Sequence, residues 1–231
     1  MDDHALVIVD GGLGGLLACY TEGVCRAGAA AGSGSTAATP ASSTPWLALT
    51  GPQADERPWR THYARRAAEV CHMNDLLEWS GEQAAHTKPA GPALTAMLLA
   101  AGAEALRLGL DRVVWSIALG GDGPDDSERE EVLNAIADAS DRALAAARLL
   151  SIDAGDQGLI IQTPYVDFGR EQLADLAADV DLPLSACWLG RPGGDERNRW
   201  ERALRAVGAE PPGTSIGGAL NAPLAWTAKA G

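Results

Sequence analysis

With 231 residues, 46% of them hydrophobic and 21% charged, the chain is long enough to bury one sizeable core. Its 31 acidic and 18 basic side chains give a formal charge of −13, which repels phosphate backbones and speaks against nucleic acid as a partner. No apolar run reaches the length of about 18 residues that a membrane helix needs, and no basic segment precedes the first short apolar run, so no membrane span and a cytoplasmic setting are expected.

In chain order, Ala5–Val9 reads as a buried strand that ends in Asp10-Gly11-Gly12-Leu13-Gly14-Gly15. A helix follows from Gly14 to about Ala29, and residues 30–44 are small, polar and Pro/Gly-bearing, as in a flexible loop. Trp46–Thr50 predicts a second strand, and Trp59 to Trp79 a polar helix. Beyond the breaker Pro89-Ala-Gly-Pro92, Leu94, Met97, Leu98, Ala101 and Ala105 repeat at helical spacing up to Leu108. Arg112–Ala118 is the third strand. The acidic turn Gly120–Asp126 comes next, then a helix capped by Ser127, with Glu130 in the capping-box position, that runs to about Leu150. Leu159–Thr163 is the fourth strand. Helices over about 169–180 and 195–207 complete the ordered part, and the tail from residue 213 is irregular.

Strands alternating with helices imply an α/β fold: a mainly parallel open sheet with helices on both faces, Rossmann-like in class. Such sheets bind ligands beyond the carboxyl ends of their strands, which makes Gly120, Asp122 and Thr163 the expected crevice residues beside the glycine-rich turn. Glycines at a helix N-terminus let backbone N–H groups crowd an anion, so Asp10, Gly11, Gly12, Gly14 and Gly15 form the candidate cofactor-binding loop. The same residues also read as a strand-end polar cap and a close strand–helix contact. Asp122, Asp125 and Asp126 read either as oxygen ligands for a cation or as a helix-capping cluster. The four cysteines, Cys19, Cys25, Cys71 and Cys187, lack a C-x-x-C pair and read as buried, reduced thiols. His62, His72 and His86 have no ligand-like spacing, and no catalytic triad is assignable.

Taken together, residues 5–15 resemble the pyrophosphatase loop, Ser-Gly-Gly-x-Asp-Ser after the first strand, of the ATP pyrophosphatase (PP-loop), adenine nucleotide alpha hydrolase-like superfamily. Arg65-Arg66-Ala-Ala-Glu69, Pro89-Ala-Gly-Pro92 and Gly120-Gly-Asp-Gly-Pro-Asp125 are similar, in order, to Gln-Arg-His-x-x-Glu, Pro-Gly-Arg-Asn and the segment ending Tyr-Pro-Asp of 7-cyano-7-deazaguanine (preQ0) synthases, which act in queuosine biosynthesis. Thr163-Pro164, Ser185-Ala-Cys-Trp188 and Ala203–Gly208 continue the same series. The resemblance implies an ATP-dependent C–N ligase chemistry on residues 1–186. It also implies a helical zinc region over 187–212 and a homodimer, and it stops short of the irregular tail over 213–231.

The departures fall where that chemistry would sit. Asp10, Gly14 and Gly15 replace the two serines and the aspartate of the loop, and a carboxylate facing a polyphosphate costs about 1–4 kcal/mol at 4 Å. The zinc cysteines fall near Arg191, Gly194 and Arg197, leaving Cys187 as a lone remnant, so zinc is not expected. Pro92-Ala93 and Gly169 stand where the resemblance places substrate-binding Arg-Asn and Lys. These losses imply a non-catalytic interaction or structural subunit with no catalytic residues, no cofactor, and an unidentified protein partner besides its own copy. The alternative is a divergent ATP-dependent ligase, using ATP and magnesium, or a nucleotide- or small-molecule-binding relative. An open crevice lined by polar groups would favour the latter, and a crevice filled by Leu13, Trp115 or Trp188 would count against it.

Overall fold

The computed structural model describes residues 4–25, 44–47, 56–73, 76–79, 91–121, 126–155 and 158–212. Strand β1 (Leu6–Val9) leads into helix α1 (Leu13–Tyr20), which continues as a π-helical turn over Thr21–Cys25. Strand β2 (Thr44–Leu47) precedes α2 (Arg57–Val70) and the two-residue β3 (Leu77–Glu78). Helix α3 (Gly91–Arg107), β4 (Arg112–Trp115), α4 (Asp126–Asp153) and β5 (Ile160–Gln162) follow. Helix α5 (Arg170–Asp179), a 3-10 turn (Leu184–Ala186) and α6 (Asp195–Ala206) close the described chain.

The five strands form one sheet in the order β3-β2-β1-β4-β5, and every neighbouring pair is parallel. This is the expected α/β class. Strand β1 lies at the centre and is buried along its whole length, as a parallel strand covered on both faces must be. Val7 and Val9 point to one face, where α1, α2, α5 and α6 pack through residues such as Leu16, Ala64, Leu173 and Leu204. Leu6 and Ile8 point to the other, against Met97, Leu98 and Ala101 of α3 and Ala143 and Ala146 of α4. Many contacts on both faces are alanines, which bring helix and sheet backbones close at little side-chain entropy cost.

Several boundaries differ from expectation. The helix predicted over residues 59–79 stops at Val70, because His72 turns left-handed (φ 53°) and Met73 N–H donates to the Ala68 carbonyl at 3.0 Å, a Schellman stop made without glycine. The released chain forms β3, a fifth strand too short to show in the sequence pattern, through Trp46↔Leu77 pairing and a 3.0 Å bond from Trp79 N–H to Leu47 O. The third strand stops pairing at Trp115, three residues before Ala118, so that residues 116–118 leave the sheet. Helix α4 starts at Asp126 and therefore takes the predicted cap Ser127 into its first turn. Of the predicted loop over 30–44 only Thr44 is described, as the first residue of β2, and residues 30–43, the turn residues 122–125, His86 and the tail from 213 lie outside the described residues.

Helix α1 carries the chain from the carboxyl edge of the sheet back to its amino edge, and there a buried ion pair joins it to β4. Arg112, the first residue of β4, donates through Nη1 to Glu22 Oε1 at 2.8 Å and through Nη2 to Glu22 Oε2 at 2.5 Å. Its Nη1 also reaches Gln162 Oε1 of β5 at 3.0 Å. Both charged side chains are about 95% buried, on the sheet edge remote from the glycine turn, so their work is structural.

Candidate functional site

The strand order reverses between β1 and β4: the chain moves outward from β1 to β2 and β3, then returns to β4 on the other side. At such a switch point the connections leaving two neighbouring strands diverge and open a crevice at the carboxyl edge. Here the crevice is a cavity of about 230 Å³. The glycine turn after β1 (Asp10, Gly12, Leu13, Gly14) forms one wall and Ser116–Ala118 after β4 another. Glu56 and Arg60 from the start of α2, Leu173 of α5, Trp188–Gly190, and Glu196 and Trp200 of α6 complete it.

Asp10 governs the turn. Its Oδ1 accepts the Gly12 N–H at 2.8 Å, and its Oδ2 meets Arg60 Nη1 at 3.2 Å. The carboxylate therefore sits at the N-terminus of α1, held by a backbone donor and a guanidinium, where the glycine turn would otherwise present those groups to an external anion. Arg60 in turn reaches Glu56 Oε2 from its Nε at 3.5 Å, and Arg191 Nε lies 3.7 Å from Glu56 Oε1. On the opposite rim, Glu196 accepts from Arg170 at 3.0 Å and from the Trp200 indole N–H at 3.0 Å. Three carboxylates and one guanidinium line the cavity, and Arg170 and Arg191 reach two of those carboxylates from beside it.

The glycines have separate duties. Gly11 adopts φ 84°, and a Cβ there would lie 2.5 Å from the Arg60 carbonyl oxygen, so the turn needs glycine on both counts. A Cβ on Gly14 would lie 2.6 Å from the Ser116 carbonyl oxygen, which shows how closely α1 approaches the end of β4. Ser116 itself donates from Oγ to the Ile8 carbonyl at 3.0 Å, tying the two strand ends together. Gly11 O accepts the Trp188 N–H at 2.7 Å, which brings the 187–190 segment over the turn.

Of the expected loop residues, Asp10, Gly12 and Gly14 line the cavity, whereas Gly11 and Gly15 do not. Gly120 packs instead against the 167–169 backbone, donating its N–H to Phe168 O at 3.0 Å, and a Cβ there would meet three backbone atoms at 2.4 Å. Thr163 follows β5 at the same sheet edge, with its carbonyl accepting the Val166 N–H at 3.3 Å, and is not part of the cavity wall. Asp122 lies outside the described residues. Trp115 is buried in the core on the far face of the sheet, whereas Leu13 and Trp188 line the cavity without closing it. Glu56 and Arg60 went unread in the sequence, although a helix that follows β2 in a parallel sheet must begin at this edge, which is the signal that finds them.

The segment that the resemblance aligns with a zinc region is built differently. Cys187 is buried and donates from Sγ to the Leu184 carbonyl at 3.2 Å. Arg197, at one of the aligned cysteine positions, is buried with its Nε on Glu201 at 2.8 Å and Nη2 on the Pro212 carbonyl at 2.8 Å. Gly194 caps α6 and Arg191 is exposed. A cation beside a buried guanidinium and a single thiol finds no tetrahedral ligand set, so these residues do not fit zinc. Aromatic contacts hold the segment: Trp188 stacks on Trp59 at 5.4 Å with an interplanar angle of 8°, and Tyr63 lies 5.8 Å from Trp188.

Burial pushes the Cys187 thiol up to about 12, with the Asp10 carboxylate adding to the rise and Arg197 opposing it. Burial likewise raises Cys71 to about 12, and it raises Cys19 well above its ordinary value with the neighbouring Cys71 adding to it. Thiols held protonated in the fold but free to ionise when unfolded make the unfolded state the better proton donor at high pH. Stability is therefore expected to be intact below about pH 9 and to fall progressively toward pH 12, with Cys19, Cys71 and Cys187 inert to iodoacetamide at pH 8 until denaturant is added. Prompt native-state alkylation of any of the three, read by mass spectrometry, would contradict this.

Fold and site together define a Rossmann-like, parallel α/β protein with a glycine-turned crevice at the β1/β4 switch point. No family model and no curated protein matches the chain. Among solved structures it is similar to the U34-tRNA thiolase NcsA from Methanococcus maripaludis, determined with its 4Fe-4S cluster, at 11% identity over 89% of this chain and 71% of that one, with a TM-score of 0.48. No helix among the described residues is long and apolar enough to cross a membrane.

Proposed function

We propose that this protein is a PP-loop-type relative of the 7-cyano-7-deazaguanine synthases that no longer performs ATP chemistry and uses the crevice to bind a small organic molecule. One observation carries the reading: the Asp10 carboxylate occupies the anion position of its own glycine turn, tied to Gly12 N–H and Arg60. A polyphosphate entering there would have to displace a carboxylate that is already hydrogen-bonded and would then face its charge. The open cavity, with Asp10, Glu56 and Glu196 around Trp188 and Trp200, suits an amine- or hydroxyl-bearing ligand, whose donors the carboxylates accept and whose apolar face the indoles cover.

Calorimetric titration of the full chain with ATP, AMP and pyrophosphate, each with magnesium, tests the proposal. No binding heat is expected from any of them, and micromolar ATP affinity with pyrophosphate release would overturn it. The variant Asp10→Ser should gain pyrophosphate affinity by about tenfold or more, the effect of removing about 1–4 kcal/mol of repulsion while freeing the Gly12 N–H. A second reading, an interaction or structural subunit, is favoured by one separate feature, the exposed side chains of Leu133, Leu144, Leu149 and Ile152 on α4.

A further inference from the structure

The cavity of about 230 Å³ has room for about eight waters at about 30 Å³ each, which corresponds to a molecule of about a dozen non-hydrogen atoms and falls well short of a nucleoside triphosphate. Its charges cancel. Asp10 is matched by Arg60 at 3.2 Å, Glu56 by Arg60 at 3.5 Å and Arg191 at 3.7 Å, and Glu196 by Arg170 at 3.0 Å. Among the described residues the three carboxylates of the wall therefore stand against three guanidiniums, so neither an ammonium nor an anion gains a net field by entering. What the pairs leave over is hydrogen-bonding capacity of both kinds. A carboxylate has about four lone-pair sites, and Asp10, with its side chain 40% exposed, accepts one bond on each oxygen. Arg60 makes its contacts through Nε and Nη1, which leaves Nη2 without an acceptor among the described residues. On the opposite rim the Glu196 side chain is 53% exposed.

We propose that the crevice holds a neutral, polyhydroxylated ring of monosaccharide size, a class of ligand that rests on the crevice being a small-molecule site at all. An ammonium only donates and a phosphate or carboxylate only accepts, whereas a hydroxyl does both and so serves the two members of an ion pair at once. One hydroxyl donates to Asp10 while accepting from Arg60, and hydroxyls elsewhere on the same ring donate to Glu196 across the cavity. The rest of the wall suits the rest of such a ring. Trp188 and Trp200, with Leu13, Ile117 and Leu173, offer indole and aliphatic surface, and the positively polarised hydrogens on the C–H face of a saturated ring lie well against the negative face of an aromatic system. The balance of charge then acts as the filter, because adding an amino or a carboxylate group to the ring brings a charge that the site does not compensate.

Titration of the full chain with D-glucose, D-galactose, D-mannose, D-ribose and myo-inositol, followed by tryptophan fluorescence, should show saturable binding of at least one probe at about 10 mM or below. The tightest of them should bind about tenfold or more tighter than glucosamine and glucuronate, which carry one positive and one negative charge on a ring of the same size. Glu196→Gln removes one carboxylate and leaves Arg170 in place, so glucuronate should gain about tenfold relative to the neutral ring. Trp200→Ala should weaken the neutral ring by about tenfold, and Trp200→Phe, which keeps an aromatic face, should recover most of the loss. Glu196 is exposed, so the unfolding midpoint of Glu196→Gln should match the parent, and its result stands whatever Trp200→Ala does to the fold. No saturable response to any of the five neutral probes, or tighter binding of glucosamine or glucuronate than of every neutral ring by the parent chain, would overturn the proposal. A preference for glucosamine would still leave the crevice a small-molecule site, whereas micromolar ATP binding with pyrophosphate release would end that reading itself, so the two failures are distinguishable.

Discussion

Glu22→Ala is expected to destabilise the protein by about 3–5 kcal/mol, read as a shift in the urea unfolding midpoint at unchanged slope. The size of the effect comes from what is left behind rather than from what is lost. Arg112 is 5% exposed, and its guanidinium would lose a bidentate carboxylate while keeping its bond to Gln162 Oε1. Removing a carboxylate from a buried cation costs more than the pair contributed, because both partners had already given up their hydration. Replacing both together, as in Glu22→Leu/Arg112→Met, should therefore cost much less than the sum of the single changes. Two single variants within about 1 kcal/mol of the parent would show that water reaches the pair and that it is not the clamp between α1 and β4 inferred from its burial.

Gly14→Ala sets two terms of opposite sign against each other. Inside a helix an alanine is favoured over glycine by about 1 kcal/mol, and α1 contains Gly14. Against that gain, the new Cβ would lie 2.6 Å from the Ser116 carbonyl oxygen, a backbone atom whose residue is tied to β1 through the 3.0 Å bond to Ile8 O. Overpacking of this kind costs about 1–3 kcal/mol or more, so a net loss is expected. Gly12→Ala is the control. Its Cβ first meets the Asp10 side chain at 3.1 Å, which can turn aside at the expense of its hydrogen bond to Gly12. If Gly14→Ala raised the melting temperature, the close approach of α1 to β4 would not be what keeps glycine at that position.

Both outcomes bear on the site. The glycine turn keeps the form of an anion cradle, yet two of its glycines answer to steric needs of the fold: Gly11 to its positive φ and the Arg60 carbonyl, Gly14 to Ser116. A turn can therefore retain its glycines after an anion has ceased to bind there. The proposed loss of ATP chemistry accordingly rests on Asp10 and not on any missing glycine.

Some of this was legible in the order of residues alone. The apolar run of β1, fully buried because it is covered on both faces, and the helical spacing of Leu94, Met97, Leu98, Ala101 and Ala105 determined the α/β class and the placement of the glycine turn at a strand end. Those are local signals: periodicity and turn chemistry act over a few residues, and a buried parallel strand leaves no polar positions to blur them. The stop at Val70 was not legible, since it depends on His72 accepting a left-handed backbone that the pattern of α2 gives no reason to expect. Nor was β3, whose two residues form a strand only because Trp46 and Leu47 offer them an edge.

Asp10 could be named from the sequence, but its role could not, because that role depends on Arg60, fifty positions away, and on the way a strand order of β3-β2-β1-β4-β5 gathers the starts of α1 and α2 at one edge. Tertiary structure likewise decided that Gly120 packs against residues 167–169, that Arg197 is buried against Glu201 and Pro212, and that Leu144 and Ile152 face away from every core. The physical reason is common to all of them. Secondary structure is chosen by neighbours in sequence, whereas the charge, hydration and room available to a side chain are set by whichever distant segments the fold packs beside it.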